Sequence, residues 1–217
     1  FSSRFSVLLG PAGTGKTSLL EVLLNHPEVK RGGVNILAPT GKARVQLEMQ
    51  AEIAGGKTIA QFLVPLDRYD TSTQRYHLSD REKEKGAETV VIDEASMLTE
   101  EQLAATLDAL AGVKRLILVG DPKQLPPIGA GRPFVDIVTE LAPENVESMS
   151  PKVGQGYAEL TINRRQKQES DFERDDMLLA EWFSGRPLDP GADEIWVKVY
   201  SGEPSSSLDF IRWENSD

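Results

Sequence analysis

Four short apolar runs mark the first half of the chain: Val7-Leu8-Leu9, Val34-Asn35-Ile36-Leu37-Ala38, Thr89-Val90-Val91-Ile92 and Arg115-Leu116-Ile117-Leu118-Val119. They are rich in branched side chains and lack the polar alternation of a half-wet strand, so each predicts a strand buried on both faces. Between them lie segments of helical period, residues 18–24, 43–53 and 100–111. Buried strands alternating with helices predict an α/β fold, a mainly parallel sheet covered by helices on both faces, with ligands at the carboxyl ends of the strands. Two stretches break the rhythm. Residues 65–88, with Asp80-Arg81-Glu82-Lys83-Glu84-Lys85, read as a solvated excursion, and residues 143–157 as a flexible loop; both are candidates for disorder. Beyond residue 185 the run Ile195 to Tyr200 predicts one strand among loops.

The first run leads directly into Gly10-Pro11-Ala12-Gly13-Thr14-Gly15-Lys16-Thr17-Ser18, which fits G-x-x-x-x-G-K-[ST] between a strand and a helix. Gly10, Gly13 and Gly15 place no side chain in the way of a backbone that must curl its amides around a phosphate, and they tolerate positive φ. The helix that follows aims its N-terminal N–H groups at the same point. Lys16 would reach the β and γ phosphates and the Thr17 hydroxyl would hold Mg²⁺. This loop predicts a bound nucleotide.

Composition narrows the partners. The 217 residues include no cysteine, which excludes disulfides and thiolate metal sites, and only two histidines, His26 and His77, without zinc-ligand spacing. No run approaches a transmembrane length and the start carries no signal-peptide pattern, so a cytoplasmic protein with no membrane and no zinc is the default expectation. A net charge of −10 argues against gripping nucleic acid through overall positive charge, yet leaves room for a local cationic groove.

Two later segments bring chemistry to the ends of the third and fourth runs. In Thr89-Val90-Val91-Ile92-Asp93-Glu94, Asp93 would bind Mg²⁺ through its water shell and Glu94 would polarise an attacking water; the same pair could serve as a turn or helix cap. In residues 118–134, LVGDPKQLPPIGAGRPF, Asp121 and Gln124 should emerge at the same sheet edge, with Gln124 a sensor of the γ-phosphate or the loop only a rigid turn. Phe134 reads as a core residue at a helix start.

GPAGTGKT, LAPTGKAR (37–44), TIAQFL (58–63), VVIDEASML, LVGDPKQLPPIGAGRPF and LTINRRQ (160–166) follow the order and approximate spacing of superfamily 1 helicase motifs I, Ia, Ib, II, III and IV. The wording of DEASM and GDPKQLPPIGAG resembles the RecD-like branch, which includes the exonuclease V alpha subunit. The resemblance implies a RecA-like P-loop NTPase lobe spanning residues 1–188. Position by position it implies catalytic roles for Lys16, Asp93, Glu94, Gln124 and Arg165. Arg165 matches the arginine that contacts the γ-phosphate, while Arg164 stands where the family has an aromatic residue. Single-stranded DNA would run over Pro39, Thr40, Gly41, Lys42, Arg44 and Thr58; the family often reads Thr-Ile-His where this chain has Thr58-Ile59-Ala60.

Motifs V and VI are not recognisable after residue 188, so residues 189–217 read as a tail and the chain as a fragment of a longer protein, weakly active alone. The implied function is ATP hydrolysis driving translocation on single-stranded DNA, 5′ to 3′, with nuclease or repair-complex subunits as partners of the parent. The alternatives are a nucleotide-dependent regulatory module without translocation, and a GTP switch, against which stands the lack of an N-K-x-D segment.

Overall fold

Alternate residues of a strand face opposite sides of a sheet, and here both sides are apolar. In a computed structural model, which describes residues 3–50, 55–162, 175, 179, 182–183 and 193–202, all four runs are strands. The elements are β1 (Phe5–Leu9), α1 (Lys16–Leu24), α2 (Pro27–Arg31), β2 (Val34–Ala38), α3 (Gly41–Gln50), β3 (Lys57–Thr58), α4 (Ile59–Leu63), β4 (Tyr69–Asp70) and β5 (Arg75–Tyr76). They continue with β6 (Thr89–Ile92), α5 (Glu100–Ala109), β7 (Arg115–Gly120), α6 (Pro133–Leu141), β8 (Lys152–Gly154), β9 (Tyr157–Glu159) and α7 (Glu194–Ser201). The chain forms two compact units, Phe1–Arg165 and Gln166–Asp217.

In the first unit a seven-stranded sheet runs in the order β3-β2-β6-β7-β1-β9-β8, every neighbouring pair parallel except β8 with β9. Val7, Leu9, Ile92 and Leu118 pack on one face against Phe62 of α4, Leu103 of α5 and Phe134 of α6. Leu8, Val91, Ile117 and Val119 pack on the other against Leu20 of α1, Val29 of α2 and Leu47 of α3. Burying such a side chain contributes about 1.5–3 kcal/mol, which is why these runs carry no polar alternation.

Two helices on the first face start with the same device. Thr58 and Thr99 each accept a hydrogen bond from the backbone N–H three residues on, at Gln61 and Gln102, whose side chains return the bond to the cap residue's own N–H. Such a box satisfies two of the amide groups that a helix start leaves without partners.

The structure corrects three expectations. Residues 65–88 are ordered, although their composition is polar. Arg68 is fully buried there. Its guanidinium donates to the carbonyls of Leu66, Ser79, Arg81 and Glu82 and to the Asp108 carboxylate of α5 at 2.7 Å. The β4–β5 hairpin adds Tyr69 packed against Tyr76, their rings tilted by 42° with centroids 4.6 Å apart. One multivalent donor organises a segment that apolar periodicity cannot. Residues 143–157 are likewise structured, because β8 and β9 form a hairpin whose second strand extends the sheet beside β1, with Tyr157 buried. Finally, Ile195–Tyr200 is helix, not strand. In α7 Ile195 is buried, Trp196 meets Trp182 edge-on at 5.5 Å and approaches Tyr200 one turn later at 6.3 Å, and Gly202 closes the helix with φ 66°. The i, i+4 aromatic spacing and the glycine stop outweigh the β-branched composition.

Candidate nucleotide site

All the strands that carry the sequence motifs are parallel, so their carboxyl ends meet along one edge of the sheet. Leu9 of β1 pairs with Gly120 of β7, and Ile92 of β6 pairs with Leu118. Asp93, one residue on, is therefore level with Val119 and with Leu8, just below the glycine-rich loop and separated from it by one strand. With β7 between them, the ends of β6 and β1 are two strand spacings apart, about 10 Å, a gap that a phosphate group and its cation span.

The loop itself takes the expected curl. Gly13 and Gly15 have φ of 81° and 93°, and Gly15 caps α1 without any side chain on its amides. The first turn of α1 holds no acidic residue, leaving its positive dipole end uncompensated for an anion. Thr14 is buried and donates its hydroxyl to the Pro11 carbonyl at 2.8 Å, bracing the turn. The Lys16 ammonium folds back on the loop, donating to the carbonyls of Gly10 at 2.6 Å and Pro11 at 3.1 Å. Pro11 and Thr17 are partly buried; Ala12 and Ser18 are exposed at the loop's outer side.

The carboxylate pair is set apart by its backbone and its burial. Burial, and secondarily the neighbouring Glu94, push the Asp93 carboxyl up to about 6, while the Glu94 amide and the charge of Lys16 hold it down. The charge of Lys16 is close enough to be felt at Asp93, so the two motifs face the same region of the sheet edge. Glu94 occupies the left-handed region at φ 50°, ψ 39°, a conformation that costs a non-glycine residue about 1 kcal/mol. One of its carboxylate oxygens is buried without a hydrogen-bond partner. A buried orphan acceptor beside a raised carboxylate is a donor set suited to a hydrated divalent cation and a bound water. The described residues hold no cluster of three acidic, His or Cys side chains that would enclose a metal alone.

At the end of β7, buried Asp121 shapes the next loop. Its carbonyl accepts from the Gln124 N–H at 3.1 Å and its carboxylate from the Lys123 N–H at 3.0 Å, so Gln124 leaves the sheet at the same edge. Phe134 is buried at the start of α6. Arg164 and Arg165 lie outside the described residues.

The residues assigned to DNA collect further along the same edge. Ala38 of β2 pairs with Thr58 of β3, which brings Thr58 beside Pro39 and Thr40. The Thr40 hydroxyl accepts from the Ala43 N–H at 3.2 Å at the start of α3. Gly41 and Lys42 are exposed. Arg44 is different: Glu48, one turn on, pairs with it and also accepts from the Gly56 N–H at 2.9 Å. Arg44 thus braces the approach to β3 with its charge neutralised locally. Sequence reasoning missed this brace and the Arg68 clamp, though the i, i+4 spacing of Arg44 and Glu48 was a readable signal for the first.

Residues 1–177 match the AAA domain family. An uncharacterised protein of Methanocaldococcus jannaschii is 35% identical over 157 residues, covering 68% of this chain and 13% of that protein. The RecBCD enzyme subunit RecD of Mycolicibacterium smegmatis is 33% identical over 171 residues, covering 68% of this chain and 30% of the subunit. The chain therefore spans less than a third of the length of either relative. Among solved structures, the Bacteroides Pif1 helicase in complex with ADP-AlF3 and single-stranded DNA superposes with a TM-score of 0.53 at 21% identity, over 95% of this chain and 48% of that one. Its likeness extends to the fold, a RecA-like sheet with helices on both faces.

Proposed function

We propose that this chain, which belongs to the AAA domain family and within it to the RecD-like branch of superfamily 1, is the ATP-hydrolysing lobe of a helicase that translocates on single-stranded DNA, 5′ to 3′ in the intact protein. The observation that carries this reading is the convergence of Lys16, Asp93 and Glu94 on one edge of the sheet, at the carboxyl ends of β1 and β6, which flank β7. Nucleotide phosphates take the place of the Gly10 and Pro11 carbonyls as partners of Lys16, and the amides of residues 13–18 with the α1 dipole hold the remaining charge. Thr17 and Asp93 would hold Mg²⁺, which when bound neutralises phosphate charge and favours the ionised form of Asp93.

Glu94 is the general base in this proposal. Its orphan oxygen accepts a hydrogen bond from water, and its strained backbone fixes the direction from which the proton is taken. Gln124 senses the γ-phosphate from the β7 loop, and Arg165 supplies transition-state charge as an arginine finger. Pro39, Thr40, Gly41, Lys42 and Thr58 hold the DNA backbone, with Arg44 acting through Glu48 as their brace. The Mycolicibacterium smegmatis relative is a subunit of the RecBCD enzyme, which supports nuclease or repair-complex subunits as partners of the longer protein. Among the described residues no helix is long and apolar enough to cross a membrane, and the proposed location is the cytoplasm.

The test is ATP turnover with and without an unstructured single-stranded oligonucleotide, beside Glu94→Gln. DNA-stimulated turnover that falls at least 100-fold in Glu94→Gln, with nucleotide still bound, is the expected result. Nucleotide binding that DNA leaves unchanged would overturn the translocase reading in favour of a regulatory module.

A further inference from the structure

The outward strip of α3 continues past the motif residues Gly41 and Lys42 onto Val45, Gln46 and Met49, to which no role is assigned, and it is built unlike the surface around it. Lys42, Val45, Gln46 and Met49 recur at helical spacing, so they share one face over about 10 Å of rise. With Gly41 they line an open groove of about 540 Å³. Met49 is 76% exposed and Val45 43% exposed, an apolar floor without a covering element among the described residues. The described walls of the groove include no carboxylate, in a chain with 34 acidic residues. The nearest acid on the helix, Glu48, is engaged with Arg44 and the Gly56 amide. Lys42 stands at the end nearest Thr40 and joins no ion pair among the described residues.

We propose that this groove seats one unpaired nucleobase of the single strand, with Met49 and Val45 under the base plane, Gln46 at its edge and Lys42 on the adjoining phosphate. The proposal rests on the DNA reading above and names where that strand is held by its bases. The chemistry matches piece by piece. A thioether and a branched methyl pair offer a polarizable flat surface to a π system. A side-chain amide presents both a donor and an acceptor, which any base edge can meet. The groove is continuous with the phosphate-binding residues at the end of β2. A net charge of −10 limits what phosphate attraction alone supplies, so a contact to the base adds affinity that the charge balance withholds.

The experiment titrates the 217-residue chain into a labelled oligothymidylate and into an abasic strand of the same length, read by fluorescence anisotropy. The wild type is expected to bind the base-bearing strand about tenfold more tightly than the abasic one. Met49→Ser should remove that preference and leave abasic affinity unchanged, Met49→Leu should keep it, and Lys42→Ala should weaken both strands alike. Equal wild-type affinity for the two strands, or a Met49→Ser loss shared by both, overturns the base seat while leaving DNA binding in place. A wild type that binds neither strand overturns the DNA reading and the seat with it. A Met49→Ser variant with unaltered DNA binding but weaker self-association in sedimentation velocity would assign the strip to a protein contact instead.

Discussion

Asp93 carries a stability cost built into the site. Its folded-state pKa of about 6 lies above the ordinary carboxylate value because it is buried beside Glu94. Ionisation therefore favours the unfolded chain: the group's contribution to stability is full below about pH 4 and is lost as the pH rises through 6, worth roughly 3 kcal/mol at most. We expect Asp93→Asn in metal-free buffer to raise the unfolding midpoint more at pH 7.5 than at pH 5; equal gains at both would exclude this cause. Gly10 is constrained by space, since a Cβ there would lie 2.6 Å from the Thr14 hydroxyl and 2.9 Å from the Leu160 carbonyl oxygen. Gly10→Ala should weaken Mg-ADP binding in calorimetry by about tenfold or more. Arg68→Met would remove the donor shared by four carbonyls, leaving Asp108 with Lys83 and the Ser79 N–H, and should cost about 1–3 kcal/mol of stability in urea unfolding while speeding proteolysis between residues 66 and 86. The loop and the strand-end carboxylates were legible because their chemistry dictates their spacing. Arg68 was not, because nothing local distinguishes a buried arginine in a polar segment from a solvated one.

Thr58 has two occupations at the level of elements. It is assigned to DNA, and it caps α4 through its exchange with Gln61. We expect Thr58→Ala to lose about 1 kcal/mol of stability whether or not DNA is present, and Thr58→Ser to retain both cap and DNA affinity. A DNA defect in the serine variant would separate the methyl's contribution from the hydroxyl's. Strands β1, β2, β6 and β7 and helices α1, α3 and α5 followed from apolar runs and helical periods because each is buried on one face or two. The tail run Ile195 to Tyr200 did not follow, since its β-branched residues favour a strand until Trp182 and Phe183 pack against Trp196. The hairpin of β8 and β9 was hidden for a related reason: three-residue strands are too short to show a period, and their pairing with β1 is a tertiary event.

Over the whole molecule, 24 basic against 34 acidic residues set how any DNA complex should respond to salt. With Lys42 exposed and Arg44 neutralised by Glu48, few phosphates gain a cation. The slope of log affinity against log salt should accordingly be no steeper than about −2; a slope several times larger would require a cationic surface elsewhere. The sequence by itself determined the sheet's buried strands, the phosphate loop and the carboxylate pair, since apolar burial and phosphate chemistry leave fixed local spacings. Only the tertiary structure decided which strands are neighbours, and hence that Asp93 and Lys16 face the same region of the sheet edge. It also decided that polar residues 65–88 are ordered around Arg68 and that the tail run is a helix. Each of these depends on a partner distant in the chain or on burial that only packing creates, and neither leaves a mark in the local pattern.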